Sequence, residues 1–205
     1  MSETEAPPFA GAPLLGEPPP IELANTTWAS RGHPRDGLRA PQDLAAWLRE
    51  QRGRLATPLG ERDLLGVTAE DLAVARRLRD AIRALAGAVV EGARPAPEDL
   101  EVLNAAARSA PRWRELRWNG APGAETHTLA RPVVAALAEI ADGAVALFAG
   151  PRRRLLRACP GPGCVLFFVR DHPRREWCSV SCGNRARAAR HYRRHQGRSG
   201  GGDAA

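Results

Sequence analysis

Residues 159–182 read CPGPGCVLFFVRDHPRREWCSVSC and contain all four cysteines of this 205-residue chain. Four residues separate Cys159 from Cys164, thirteen residues follow, and three residues separate Cys178 from Cys182. This spacing fits a tetrahedral site in which four thiolates hold one Zn²⁺ ion. Four thiolates leave no position for an activated water, so we expect a structural rather than a catalytic metal.

Three other uses of the cysteines compete with four-thiolate ligation. Free structural thiols would be unusual in one short polar segment, and two disulfides would need an oxidising compartment, which nothing in the sequence suggests. A site made of Cys159, Cys164, His191 and His195 is the third alternative, because H-x3-H places both imidazoles on one helical face. Such fingers usually have about twelve residues between the pairs. Here 26 residues separate them and the second cysteine pair would be idle, so we expect ligation by all four cysteines.

The residues around the cysteines predict a treble-clef zinc finger. Pro and Gly at 160–163 form a tight knuckle between the first two ligands. Residues 165–170 (VLFFVR) and 176–179 (EWCS) are expected to pair as a hairpin, and the second cysteine pair opens a helix. A module of about 45 residues buries too little apolar area to fold alone, so the metal supplies the missing stability. Its remaining core is expected from Leu166, Phe167, Trp177 and Tyr192.

The positive charge of the chain is concentrated in its last quarter. The whole chain has a formal net charge of +7, and residues 152–205 hold 13 Arg against three acids. No acid stands between Glu176 and Asp203. A helix that is merely solvated usually mixes both signs of charge, so this segment favours binding to a polyanion.

At about 100° per residue, the predicted C-terminal helix has two different faces. Ala186 and Ala189 lie near Cys182 and face the metal, whereas an arginine-rich arc faces away. Arg185 flanks the metal side, and Asn184 stands in the first turn, where it can cap a loop or reach a base edge. The candidate nucleic-acid contacts are Asn184, Arg185, Arg187, Arg190, His191 and Arg194.

The region before residue 150 predicts amphipathic helices with their own apolar core. A short β-hairpin, with its turn at Asn119-Gly120, is expected between the third and fourth of them. The apolar helices, together with Trp113 and Trp118, form a core more readily than they enclose a ligand pocket. The helices are expected to begin near Asp43, Thr68, Pro97 and Pro132.

The sequence offers neither a catalytic set nor a membrane span. His33 and His127 each stand alone, and no glycine-rich loop precedes a basic residue in phosphate-binding order. The most apolar run, VVAALAEIADGAVALFAG, is interrupted by Glu139 and Asp142, and the N-terminus lacks the features of a signal peptide. We therefore expect a cytoplasmic protein that is not an enzyme and does not contact membranes.

The cysteine segment, with WCS at 177–179 and CGNR at 182–185, resembles the CGNR zinc finger family. In that family the finger follows a helical region called the ABATE domain, whose signature LDFLNT is similar to IELANT at residues 21–26. The matching positions are Leu23, Asn25 and Thr26, and the resemblance covers about residues 20–196. It implies a stress-induced transcriptional regulator that contacts DNA.

Together these observations predict an α+β fold, in which a predominantly helical N-terminal domain with a small β-hairpin precedes a small treble-clef zinc finger. The expected function is transcriptional regulation through DNA; the alternatives are a zinc-stabilised module for protein contacts and an RNA-binding protein. The N-terminal domain is expected to form a homodimer or to bind a small-molecule effector. The expected boundaries are a disordered tail over 1–19, an ABATE-like domain over 20–150, a linker over 151–157, the finger over 158–197 and a disordered tail over 198–205.

Overall fold

The computed structural model describes residues 12–30 and 32–199, with residues 193–199 by backbone alone. The helices are α1 (Pro19–Ala24), α2 (Pro41–Gln51), α3 (Glu61–Leu65), α4 (Ala69–Glu91), α5 (Pro97–Arg108), α6 (Pro132–Ala149) and α7 (Val180–Ser199). Single 3-10 turns lie at Arg52–Arg54 and Pro151–Leu155. The strands pair as antiparallel hairpins: β1 (Thr27–Ser30) with β2 (His33–Asp36), β3 (Arg112–Trp118) with β4 (Pro122–Thr128), and β5 (Leu156–Ala158) with β6 (Phe167–Val169). The expected α+β class is confirmed.

Helices α4 and α6 form the centre of the N-terminal domain, and α1 and α5 pack against them. Helix α4 begins after Thr68, whose hydroxyl accepts a hydrogen bond from the backbone N–H of Asp71 at 3.1 Å, as in a capping box. Its apolar residues recur at helical spacing and turn one face toward the core. The buried members of this face are Leu72, Ala75, Leu78, Ile82 and Leu85.

Helix α6 is long and apolar enough to cross a membrane by length and composition, but half of it is buried inside the structure. Its two carboxylates make contacts within the protein. Glu139 accepts the backbone N–H groups of Ala56 and Thr57 at 2.6 and 2.8 Å, and Asp142 pairs with Arg112 at 3.1 Å. Burial and these contacts identify α6 as a core helix of the domain.

The hairpin expected between α5 and α6 is confirmed as β3 and β4. Gly120 in its turn has a φ of +80°, a backbone conformation that favours glycine. Trp113 and Trp118 are both exposed, so the expectation that they belong to the core is wrong. The reason is that the hairpin has solvent on both faces. Trp113 instead stacks on His127 of the neighbouring strand, with ring centroids 6.0 Å apart.

The described chain includes parts of both expected tails and of the expected linker. A disordered tail is expected over residues 1–19. Residues 12–18 instead lie against the folded chain, with Ala12 and Glu17 buried, and residue 19 begins α1. Residues 1–11 lie outside the described residues. Helix α7 includes residues 198–199 of the second expected tail, and residues 200–205 are outside the description. The expected linker contains a 3-10 turn and the buried Leu156 of β5.

The finger packs on the N-terminal domain through two apolar clusters, and in one of them Leu15 and Trp28 lie against the finger's own core. Leu156 and Val169, from β5 and β6, are buried against Ile21 of α1, Ala86 of α4 and Leu147 of α6. The finger therefore completes its core with side chains from three helices of the preceding domain.

Polar contacts fix the position of the finger in this interface. The side chain of Asn25, at the end of α1, donates to the carbonyl of Phe167 at 2.9 Å and accepts its backbone N–H at 3.0 Å. Arg83 of α4 donates to the carbonyls of Ala24 and Val165 at 2.7 and 3.0 Å, and its guanidinium lies 5.6 Å from the centroid of the Phe167 ring. These bonds satisfy backbone groups of β6 and of the end of α1.

Glu17 makes a second polar link between the two domains. Its buried carboxylate accepts the backbone N–H of Val169 at 2.9 Å and pairs with Arg175 of the finger. Burial raises the pKa of Glu17, although the bond from Val169 and the charge of Arg175 oppose that shift. Arg175 therefore neutralises a buried acid of the N-terminal segment.

Asn25→Ala should destabilise the folded chain, because it leaves the backbone groups of Phe167 without partners in a buried interface. We expect the free energy of unfolding to fall by about 2 kcal/mol in urea denaturation of the zinc-loaded protein. Asn104→Ala is the matched control, since the exposed amide of Asn104 makes no side-chain hydrogen bond within the described part of the chain. An equal effect of the two substitutions would contradict this role of Asn25.

Candidate metal centre

The four cysteine sulfurs converge on one point between β5, β6 and the start of α7. The Sγ atom of Cys178 lies 3.8 Å from that of Cys164 and 3.4 Å from that of Cys182, and the Sγ atoms of Cys164 and Cys182 are 3.7 Å apart. With Cys159 included, all four sulfurs lie within 4.8 Å of one another, and none forms a disulfide. Tetrahedral zinc with bonds of about 2.3 Å places sulfurs roughly 3.8 Å apart, so the cluster fits Zn²⁺.

Four thiols at this distance cannot all ionise without a cation. Hydrogen bonds from Cys164 and Cys178 lower the pKa of Cys159 to about 2. The bond that Cys164 makes to Cys159 raises the pKa of Cys164 to about 12, and the pKa of Cys178 is raised for the same reason. A divalent cation stabilises all four thiolates together, and zinc supplies that charge.

The strand pairing around the centre differs from the expected one. Strand β6 pairs with β5, so the knuckle at 160–163 is the turn of this hairpin, and residues 176–179 form no strand. The expected hairpin of 165–170 with 176–179 is therefore wrong. The other edge of β6 is already occupied, because its outward backbone groups bond to Asn25 and Glu17. The assignment to the treble-clef class stays a prediction.

Two glycines are needed where chain segments approach each other at the metal. A Cβ at Gly183 would lie 3.0 Å from a ring carbon of Trp177, so the glycine of CGNR makes room for that indole. A Cβ at Gly161 would lie 3.2 Å from the Cβ of Cys182 and 3.5 Å from the sulfurs of Cys159 and Cys182. A larger residue at Gly161 would press the knuckle against Cys182 of α7, and one at Gly183 would press on the indole of Trp177.

One arginine of the candidate nucleic-acid set contacts the metal centre directly. A terminal guanidinium nitrogen of Arg185 lies 3.0 Å from the Sγ of Cys182, where its charge stabilises the thiolate. Arg185 therefore serves the metal side, as its position on the helix predicts.

The other candidate residues for nucleic-acid contact lie on α7 beyond the metal. Arg187 donates to the side-chain oxygen of Asn184 at 2.6 Å, so both side chains form one polar pair on the outer surface. The side chain of Arg194 is outside the described residues. The exposed members of the set are Asn184, Arg185, Arg187, Arg190 and His191.

The finger core ends earlier along α7 than expected. Cys182, Gly183 and Ala186 are buried, whereas Tyr192 is 69% exposed and lies edge-on to His191. The expected place of Tyr192 in the core is therefore wrong. Among residues 180–192 of α7 the buried positions belong to the first two turns, and Tyr192 lies beyond them.

The residues that hold the finger on the N-terminal domain differ in how visible they are in the sequence. Arg83 gives no signal, because a lone arginine in an amphipathic helix looks like any solvated residue. Asn25 does give a signal in the sequence, because it is a polar residue that interrupts an apolar segment and matches the ABATE signature.

The purified chain should hold one zinc ion per molecule by elemental analysis. Cys182→Ser should lose most of that zinc, because three thiolates leave the coordination sphere open. The double variant His191→Ala/His195→Ala is the control and should keep its zinc. Full zinc in Cys182→Ser, or loss confined to the histidine variant, would show that the ligands are different.

Zinc affinity should fall as the pH falls. In the metal-free chain the raised pKa values of Cys164 and Cys178 keep both thiols protonated at neutral pH, so zinc binding releases at least two protons. Apparent affinity should weaken at least about a hundredfold for each pH unit of acidification. Competition with a chelating dye at several pH values measures this slope, and an affinity independent of pH would contradict it.

Comparison with known families matches both parts of the molecule. The ABATE family model, described as "Putative stress-induced transcription regulator", matches residues 17–151, and the CGNR zinc finger model matches residues 155–195. No curated protein matches the sequence. The first match includes the helices that hold the finger, and the second includes all four cysteines. The chain therefore belongs to the ABATE family and carries a CGNR zinc finger at its C-terminal end.

Proposed function

We propose that this protein regulates transcription by binding duplex DNA through the outer face of α7. The observation that carries the proposal is the exposed, acid-free cationic surface that continues from the zinc centre along this helix. Phosphate neutralisation by arginine supplies most of the sequence-independent affinity of DNA-binding proteins. An uninterrupted run of positive charge is the surface that such binding needs.

The geometry of α7 supports contact with a groove. The helix has 20 residues and is therefore about 30 Å long, while the major groove of B-DNA is about 12 Å wide. Its first two turns are held by Cys182 and Ala186, and residues 187–192 are exposed apart from the half-buried Ala189. A helix anchored at its start and exposed over these residues can lie against DNA without losing contacts to its own protein.

The arginines differ in their freedom to bind phosphate. Arg190 makes no side-chain hydrogen bond or ion pair within the described residues, and Arg187 bonds only to the neutral amide of Asn184. Arg185 and Arg175 are already engaged, with a cysteine sulfur and with Glu17. The proposal therefore assigns phosphate contacts first to Arg187 and Arg190, and to Arg194 by its place on the same arc.

A protein-contact module is the second candidate function. It is favoured by exposed apolar surface on α7, where Val180 is 79% and Tyr192 is 69% exposed. In that case the arginines would meet acids of a partner protein. No catalysis is proposed in either case, because four thiolates leave the metal no position for a substrate.

Arg187→Ala/Arg190→Ala should weaken binding to a random DNA duplex and reduce its dependence on salt. Each lost phosphate contact removes about 0.9 from the slope of log K against log salt concentration, so the double variant should lower the slope by about 2. Fluorescence anisotropy at several salt concentrations measures both quantities. Zinc content should be unchanged, because neither side chain contacts a cysteine.

Arg62→Ala/Arg114→Ala is the matched control for this experiment. It removes the same charge from exposed arginines of the N-terminal domain, which make no ion pair in the described structure. Equal slopes for the two double variants would contradict DNA binding through α7. Tighter binding of the wild-type chain to single-stranded RNA than to duplex DNA would favour the RNA alternative, and no binding to either would favour the protein-contact module.

A further inference from the structure

A cleft of about 410 Å³ lies between helices α4, α5 and α6, on the N-terminal domain. Each helix contributes residues spaced three or four apart, so each turns one continuous face toward the cleft. Its volume lies within the usual range of small-molecule sites, roughly 300–1,000 Å³. The apolar walls are formed by Val74, Leu78, Val102, Ala105, Ala106, Val134 and Leu137.

Four charged side chains also line this cleft, and only two of them pair with each other. Arg131 pairs with the buried carboxylate of Asp71 through bonds of 3.1 and 2.8 Å, so these two charges neutralise each other. Arg77 also lines the cleft and makes no ion pair or hydrogen bond within the described chain. Glu70 stands seven residues before it on α4, about 10 Å away along the helix axis, too far for an ion pair along the helix. Within the described chain the cleft therefore combines apolar walls with one unpaired cation, Arg77, and one unpaired carboxylate, Glu70, about 10 Å apart along α4.

We propose that this cleft binds a small organic acid, with its hydrocarbon part between α5 and α6 and its carboxylate on Arg77. Apolar walls with few polar groups are typical of sites that bind such ligands. A carboxylate on the guanidinium would form a charge-assisted hydrogen bond, which neutral ligands cannot form. The site lies on the domain that precedes the finger, and the proposal does not depend on DNA binding.

The charge of the cleft decides between classes of ligand. A purely apolar ligand would leave Arg77 unused, and a cationic ligand would have to turn its charge to Glu70 and would also leave Arg77 unused. A dianion with its second charge toward the other end of the cleft would approach Glu70. A monocarboxylic acid with an unbranched or ring-shaped hydrocarbon part satisfies the walls and the cation together.

Octanoate is the probe for this site, with octanol as the neutral comparison of equal chain length. Titration of the isotope-labelled, zinc-loaded full chain should shift backbone amide resonances of α4, α5 and α6 around the cleft and saturate, with a Kd of about 1 mM or tighter. Octanol should bind about tenfold more weakly, because it cannot form the charge-assisted bond to Arg77.

Two substitutions at the cleft and one elsewhere separate this site from general apolar binding. Arg77→Ala should weaken the binding of octanoate about tenfold and leave the binding of octanol unchanged. Arg62→Ala removes an exposed arginine outside the cleft and should change the affinity for neither probe. Ala105→Trp, at an exposed position of the cleft wall, should block both probes while far-UV circular dichroism stays unchanged.

Three results would overturn the proposal. These are octanoate shifts that map to the exposed β3–β4 hairpin, equal effects of Arg77→Ala and Arg62→Ala, or amide shifts in the cleft that appear on concentrating the protein alone. The last result would mean that a second copy of the chain occupies the cleft.

Discussion

The zinc finger depends on the convergence of four sulfur atoms, which lie within 4.8 Å of one another. Its own buried apolar residues are few, with Leu166 and Phe168 packed against the cysteines. Thiolates at these distances repel each other unless a cation lies between them, so we expect the metal to stabilise the folded finger. It also joins the knuckle to the first turn of α7 and thereby sets the direction of the helix.

The finger is also part of the core of the preceding domain. One edge of β6 pairs with β5, and the other edge bonds to Asn25 and Glu17. Leu156 and Val169 fill an apolar cluster with helices of the N-terminal domain. The ABATE domain in this chain therefore holds the finger in one position, and Asn25 of the family signature makes two of the bonds that do so.

The arginines of the finger and of its interface with the N-terminal domain differ in what they contact. Arg83 and Arg175 hold the two domains together, and Arg185 stabilises a cysteine sulfur. Arg190 has no such partner in the described residues, and it is the kind of residue that the proposed DNA contact needs. Net charge alone therefore overstates the surface that is free for a polyanion, because part of it is used inside the structure.

The sequence by itself determined the metal ligands, the four longer helices of the N-terminal domain (α2, α4, α5 and α6) and the β3–β4 hairpin, but not the short helices α1 and α3. These depend on local rules: cysteine spacing, apolar periodicity, the Thr68 cap and the turn at Gly120. Tertiary structure decided what pairs with β6, where Trp113 and Tyr192 lie, and how residues 12–18 pack. A strand can pair at either edge, and an aromatic side chain is buried only where another element covers it. Both outcomes depend on contacts between residues far apart in the chain, as between Asn25 and Phe167, which local patterns do not encode.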